Sequence, residues 1–231
     1  MRSDAPLLAA IGVEKSFGPT PALRGVDFDV ARGEIVAVMG PSGSGKSTLL
    51  HCLAGILIPD KGEIWFDGSQ LSLKSDEDRS RLRRTDFGFV FQFGQLVPEL
   101  TAEDNVALPQ LLNGTKRPSA YKQARAWLDK LEIGDLYGRR SGELSGGQAQ
   151  RVALARCLIA NPKVIFADEP TGSLDSLAGE RVMELIVRHA HDASVTVILV
   201  THDPRVAAYA DRDVIVRDGQ VSTLNTAELS S

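Results

Sequence analysis

With 231 residues, 43% hydrophobic and 24% charged, the chain is long enough for one large domain with a sizeable core and has the balance of a globular protein. Thirty acidic against 26 basic residues leave a formal charge of −4, with no basic tail or stripe, which argues against a nucleic acid held by bulk charge. No apolar run approaches the ~20 residues that span a bilayer, and the start Met1-Arg2-Ser3-Asp4 has an acid where a signal peptide carries positive charge, so the expected location is the cytoplasm.

Residues 7–34 are short strand-like pieces broken by Gly and Asp turns, and 62–68 is another, which together suggest a small antiparallel sheet. Ile35-Val36-Ala37-Val38-Met39 is a continuous apolar run ending in glycine, followed by a helical run over Thr48–Ala54 in which Cys52 reads as core and His51 as structural. Phe89-Val90-Phe91 ends at Gln92. Residues 95–142 are loop and helix, amphipathic around Tyr121–Leu131. Ser145 is a good N-cap for a helix that carries Val152, Ala155, Leu158 and Ile159 and stops at Asn161-Pro162. Cys157 on that helix is a second core cysteine; neither cysteine has metal or disulfide spacing. Val164–Ala167 ends at Asp168-Glu169, and Val195–Val200 ends at Thr201-His202-Asp203. Between them His189 and His191, two apart on a helix, face differently and read as surface residues. Val214–Val216 and Gln220-Val221 flank Arg217-Asp218-Gly219, a hairpin signal.

Uninterrupted apolar strands alternating with helices predict an α/β fold with a mostly parallel sheet buried on both faces. Ligands of such sheets bind in the crevice at the carboxyl ends of the strands. Gly40, Gln92, Asp168, Glu169 and His202 each follow a strand, so they are expected to converge although far apart in sequence. The expected organisation is one domain over 1–231, with core and β subdomain at about 1–91 and 152–231 and an inserted helical subdomain at about 92–151.

Gly40-Pro41-Ser42-Gly43-Ser44-Gly45-Lys46-Ser47, followed by Thr48, matches G-x-x-x-x-G-K-[ST] between a strand and a helix. Glycines let such a loop curl its N–H groups inward at phosphate oxygens, and the helix N-terminus adds a favourable dipole. Lys46 supplies positive charge at the β- and γ-phosphates, and the Ser47 hydroxyl is placed for Mg²⁺. An aspartate at a strand end, Asp168, suits Mg²⁺ held directly or through water, and adjacent Glu169 suits the role of base for an attacking water. Two adjacent acids facing a triphosphate repel it unless a cation intervenes. The Gln92 amide can bridge Mg²⁺ and that water; a ring nitrogen of His202 can hydrogen-bond a γ-phosphate oxygen. A second glycine-rich anion site, Ser145-Gly146-Gly147-Gln148, opens a helix and has no lysine.

Taken together and in order, the phosphate loop, Gln92, Leu144–Gln148, Val164–Glu169, Ser173-Leu174-Asp175 and His202 resemble the ATP-binding cassette (ABC) ATPases over nearly the whole chain. The resemblance implies a P-loop NTPase with a RecA-like core, a small antiparallel β subdomain and an inserted helical subdomain. It implies ATP and Mg²⁺ as ligands and a head-to-tail dimer, in which Ser145–Gln148 of one chain closes on ATP held by Gly40–Ser47 of the other. By the same resemblance Phe17 stacks on adenine. The runs Phe91–Pro98, Leu100–Val106 and Asp168–Asp175 are similar to those of lipoprotein-releasing and macrolide-exporting ATPases, which implies an integral-membrane permease as partner and a peripheral place on the cytoplasmic face of the membrane. An ABC ATPase acting as a non-transport switch on a membrane partner is the alternative. Phe93, Leu96, Val97 and Leu100 suit a helix-in-groove contact with a permease.

Overall fold

The computed structural model describes residues 5–223; the reading of Met1–Asp4 lies outside the described residues. A hairpin of β1 (Leu8–Phe17) and β2 (Thr20–Val30) opens the chain. It is followed by β3 (Ile35–Met39), α1 (Lys46–Leu53), β4 (Lys61–Phe66), β5 (Ser69–Gln70), α2 (Asp76–Thr85) and β6 (Phe87–Phe91). Three helices come next, α3 (Ala102–Leu112), α4 (Arg117–Lys130) and α5 (Gly146–Leu158). The remainder is β7 (Val164–Asp168), α6 (Ser176–Ala193), β8 (Thr196–Val200), α7 (Pro204–Ala207) and the hairpin of β9 (Arg212–Arg217) and β10 (Gln220–Thr223).

The strands form two sheets. The antiparallel one runs β2-β1-β4-β5, and the other runs β10-β9-β3-β8-β7-β6, parallel throughout except for the β9–β10 hairpin. The apolar strand runs are explained by burial on both faces. Val36, Val38, Val164 and Phe166 face a core shared with the antiparallel sheet and with Leu49, Leu50 and Leu53 of α1. Ile35, Ile165, Ala167, Val197 and Leu199 face a second core formed with α3 to α6. Phe166 is fully buried and lies edge-on to Phe87 at 5.2 Å and stacked on Phe89 at 5.5 Å, pairs that contribute about 0.5–1.5 kcal/mol each beyond area burial.

Several local readings stand. Ser145 caps α5, and its Oγ accepts from the Gln148 N–H at 3.3 Å. Cys52 and Cys157 are both buried, and burial pushes their thiols up to about 11 and about 12, so neither is a thiolate at neutral pH. One reading is corrected. His191 is exposed, but His189 is half-buried with its ring edge-on to Trp127 of α4 at 5.6 Å, and burial lowers its basicity. Periodicity was silent about α2, because none of its residues is buried. Its signals are terminal: the Ser75 hydroxyl accepts from the Asp78 N–H, Asp76, Glu77 and Asp78 fill the first turn, and Arg83 and Arg84 the last, an arrangement that suits the helix dipole. The expected subdomain boundary at 151 falls inside α5, which continues to Leu158.

The segment between β6 and α3 has little regular structure, and its second half, residues 97–101, is held by one side chain. Asn105 is fully buried; its Oδ1 accepts from the Val97 N–H at 2.8 Å, and its Nδ2 donates to the carbonyls of Val97, Leu100 and Thr101 at 3.1, 3.3 and 3.0 Å. Asn105→Ala strands these buried groups and should cost about 1–3 kcal/mol, read as a lowered midpoint of urea denaturation. A shift below about 0.5 kcal/mol, the range of ordinary surface changes, would show that the segment does not depend on this residue.

Candidate functional site

The parallel register brings four strand ends into one row. Phe91 pairs with Asp168, Asp168 with Val200, and Val200 with Val38. Just past that row come Gln92 after β6, Glu169 after β7 and Thr201-His202 after β8, with Gly40 one residue further on, after Met39 ends β3. The convergence expected for these residues is therefore imposed by backbone pairing, before any side chain acts.

The loop from Gly40 to Ser47 is shaped by backbone contacts that exclude side chains. Gly40 has φ 145° and Gly45 φ 107°; a Cβ on them would lie 2.1 Å from the Val216 carbonyl oxygen and 2.5 Å from that of Ala22, distances that no side chain tolerates. Lys46, nearly buried, folds back so that Nζ donates to the carbonyls of Gly40 and Pro41, both at 2.9 Å. The Ser44 hydroxyl is buried without a partner among the described residues. The first-turn N–H groups of α1, those of Lys46, Ser47 and Thr48, have no intrahelical acceptor by helix geometry. A lysine parked on loop carbonyls, an orphaned buried hydroxyl and unpaired N–H groups fit a polyphosphate. Pro41, Ser42 and Gly43 form the exposed outer lip of the loop. Phe17, 51% exposed, ends β1 beside the turn to β2, whose Ala22 abuts Gly45, a position from which a flat apolar group can extend the loop's surface.

Asp168 is half-buried, and its carboxyl is raised above the usual carboxylate range, first by burial and further by the charge of Glu169. A hydrogen bond from Ser47 and the charges of His51 and Lys46 oppose that rise. Such a carboxylate gains by taking a cation, and Ser47 supplies a neighbouring hydroxyl ligand; the pair fits Mg²⁺. Glu169 sits in the left-handed region with φ 48°, a conformation that costs about 1–3 kcal/mol for a non-glycine residue and concentrates at functional sites. Its Oε1 lies 2.6 Å from Nδ1 of His202 and accepts from the His202 N–H at 3.1 Å, while Thr201 Oγ1 donates to Oε2 at 3.3 Å. His202 therefore orients the carboxylate through one ring nitrogen and keeps the other for a second partner. Thr201, almost fully buried, is a site residue that sequence reasoning missed; its place directly after the β8 strand was the available signal.

Ser47, Gln92, Asp168 and Glu169 line one cleft together with Phe91, Phe93 and Gln95. Ser145, Gly146, Gly147 and Gln148 are not in it. Gly147 instead lines a separate hollow with Arg151, Asp175, Leu177, Ala178 and Arg181. The expected docking quartet also divides. Phe93 is 72% exposed, whereas Leu96 packs into the core beneath α3 to α5 and Val97 and Leu100 are half-buried around Asn105. Only Phe93 of the four offers a free apolar face, because the Asn105 bonds turn the rest of the segment inward.

Comparison with known proteins agrees with this geometry. The family model described as ABC transporter matches residues 23–172. A lipoprotein-releasing system ATP-binding protein, LolD of Shewanella oneidensis, is 40% identical over 226 residues, covering 96% of this chain and 98% of that one. The macrolide export ATP-binding/permease protein MacB of Brucella melitensis is 44% identical over 221 residues; the match covers 94% of this chain but 34% of MacB, so the chain spans about a third of that relative. Among solved structures, the ATP-binding cassette MJ0796, as a post-hydrolysis dimer bound to ADP and Pi, superposes with a TM-score of 0.86 at 36% identity, over 94% of this chain and 98% of that one. With its phosphate loop, strand-end acids and signature helix in family order, the chain belongs to the ABC transporter family of ATP-binding, ATP-hydrolysing cassettes.

Proposed function

We propose that the chain is the ATPase subunit of a membrane exporter or extractor, working as a head-to-tail dimer on a separate permease. One observation carries the dimer: Ser47 of the phosphate loop, Gly40–Ser47, and Gly147 of the signature run, Ser145–Gln148, line different hollows of one chain. A second copy related by a two-fold axis brings them together twice. The solved dimer of a 36%-identical cassette with ADP and Pi supports that arrangement. In this reading the chain's own loop and Lys46 bind the phosphates, Phe17 stacks on the base, and Ser145, Gly146, Gly147 and Gln148 meet the partner's nucleotide. Ser47, Asp168 and Gln92 would hold Mg²⁺, which when bound would supply charge neutralisation for the phosphates. Glu169 takes a proton from the attacking water as the bond to the γ-phosphorus breaks, and His202 steadies that carboxylate through Nδ1 while Nε2 serves a γ-phosphate oxygen.

The permease side rests on surface chemistry. Beside the edge strand β6 lies a groove whose lining combines apolar residues, Ile56, Phe89, Phe91 and Pro109, with Arg84 and Arg156, and Phe93 stands exposed next to it in sequence. A short amphipathic helix with acidic flanks fits such a groove. Among the described residues no helix is long and apolar enough to cross a membrane, so the contact proposed is peripheral, at the cytoplasmic face. The relatives are named for lipoprotein release and macrolide export, and export or extraction is the class proposed.

Glu169→Gln keeps shape and removes the base. Turnover should fall about 10²–10⁴-fold while ATP still binds, and light scattering should show a dimer with ATP and a monomer without it. A monomer in both conditions would count against the closed dimer. Gly147→Asp and Lys46→Ala should each be inactive alone, one through the signature run and the other through phosphate binding. Mixed one to one, half the dimers are heterodimers with one intact site, so roughly a quarter of wild-type activity should return; no recovery in well-folded samples would refute the shared site. Ile56→Glu, at a groove residue 44% exposed, should leave basal turnover intact and abolish co-purification with an integral-membrane partner. Retained co-purification and stimulation would place the permease elsewhere.

A further inference from the structure

We propose that Gln150 is a positioning residue, holding Gln92 and Glu169 at their working geometry and tying both to the helix that carries the signature run. The inference rests on the ATPase dimer proposed above. Gln150 lies on α5 two residues after Gln148, and is 1% exposed. Its Nε2 donates twice, to the Phe91 carbonyl at 2.9 Å and to the Pro170 carbonyl at 2.7 Å. Phe91 directly precedes Gln92, and Pro170 directly follows Glu169. One amide thus clamps the backbone beside Gln92 and beside Glu169.

The clamp sits where the sheet stops supplying order. The β6–β7 ladder ends at the Phe91–Asp168 pair. Past it the chains part, since Glu169 takes φ 48° while its N–H makes the closing bond of the β7–β8 ladder, to the Val200 carbonyl at 2.9 Å. Gln150 joins the two diverging backbones at that point, in place of a further rung. Packing alone does not explain a glutamine there. Its Oε1 is buried without a partner among the described residues, an unfavourable state that Leu or Met of similar volume would avoid.

A second anchor lies two turns further along the same helix. Arg156 donates from Nη1 to the Gln95 carbonyl at 2.9 Å and from Nη2 to the Gly94 carbonyl at 2.7 Å. Gly94 passes so close to α5 that a Cβ on it would lie 3.2 Å from the Ala149 carbonyl oxygen. The Ser173 hydroxyl donates to the Gln92 carbonyl at 2.5 Å from the other side. Gln92 is therefore bracketed, Phe91 held by Gln150 and Gly94-Gln95 by Arg156, and a displacement of α5 displaces it. At its N-terminus α5 presents Ser145–Gln148, the run proposed to meet the partner's ATP. One 13-residue helix thus senses one nucleotide and sets the catalytic geometry around the other. The physical link is a rigid element with defined contacts at both ends, which is what an energetic coupling between sites requires.

The test uses the full chain and three measurements on Gln150→Met: steady-state turnover against ATP concentration, ATP affinity of the monomer by titration, and thermal melting. kcat should fall about tenfold or more, monomer ATP affinity should stay within about twofold, and the Hill coefficient for ATP should move toward 1. Wild-type kcat and cooperativity in the folded variant would overturn the proposal. So would a fall in kcat that is matched by lost ATP affinity and a lowered melting temperature, the signature of a packing role. Gln150→Glu decides independently, including if the Met variant does not fold. Its carboxylate would face two carbonyl oxygens, and its protonated form regains one O–H donor, so its activity relative to wild type should climb as pH falls from about 8.5 to about 6.5. A ratio independent of pH would overturn the proposal. Wild-type protein that neither binds nor hydrolyses ATP would instead refute the ATPase reading and is scored before either variant.

Discussion

The site depends on one constraint: four parallel strands end within one residue of the same register row. Val38, Val200, Asp168 and Phe91 are successive Cα partners across the sheet. Each strand is then released at its carboxyl end, where backbone groups lose their ladder partners and must find others. The last ladder bonds run from the Glu169 N–H to the Val200 carbonyl and from the Thr201 N–H to the Val38 carbonyl; beyond them the Phe91 and Pro170 carbonyls take the Gln150 amide. Chemistry-bearing residues occupy the first positions freed from the ladder. Shifting any strand by one residue would exchange the two cores as well as the site, because Val36 and Val38 face one and Ile35 the other.

Much of this was legible without coordinates because the signals were local. A strand buried on both faces is a short unbroken apolar run, and the polar residue that ends it is visible beside it, as with Gln92, Glu169 and His202. The phosphate loop is likewise a contiguous motif. Non-local effects were illegible. Leu96, Val97 and Leu100 read as a docking face, yet a buried Asn105 turns them inward. The ring of His189 packs on Trp127, 62 positions earlier in the chain, at 5.6 Å. Gln150 is the clearest omission. It lies one helical turn from Leu154 and two from Cys157 on a face that is otherwise apolar, so a polar residue in that stripe was the available clue. Its acceptors, Phe91 and Pro170, are 59 and 20 residues away, and nothing in either neighbourhood announces them.

Electrostatics divides the labour between the two acids that end β7. Asp168 keeps poor contact with water, and its charge is disfavoured by burial and by its neighbour; only hydroxyl, lysine and histidine groups relieve it. Glu169 is turned away by its positive φ into contact with Thr201 and His202. The left-handed backbone of Glu169 aims its carboxylate at the ring and the backbone N–H of His202. In the proposed reaction the cation belongs with Asp168 and the mobile proton with Glu169, and a β-region conformation at 169 would take its carboxylate away from Thr201 and His202.

The signature helix shows how the same logic serves a surface that must accept a partner. Helix N-termini leave N–H groups unpaired, and in α5 the capping box uses two donors internally: the Gln148 N–H goes to Ser145 Oγ at 3.3 Å and the Ser145 N–H to Gln148 Oε1 at 2.8 Å. That leaves the N–H groups of Gly146 and Gly147, which carry no side chain to shield them, on an exposed to half-buried surface. A phosphate arriving from another chain can take these two donors and the helix dipole without dismantling the cap. The cap keeps α5 ordered to its first residue while the site is open, so that a contact at Gly146 and Gly147 is felt one turn later at Gln150 instead of being absorbed by fraying. A flexible glycine pair without that cap would bind the same anion and transmit nothing.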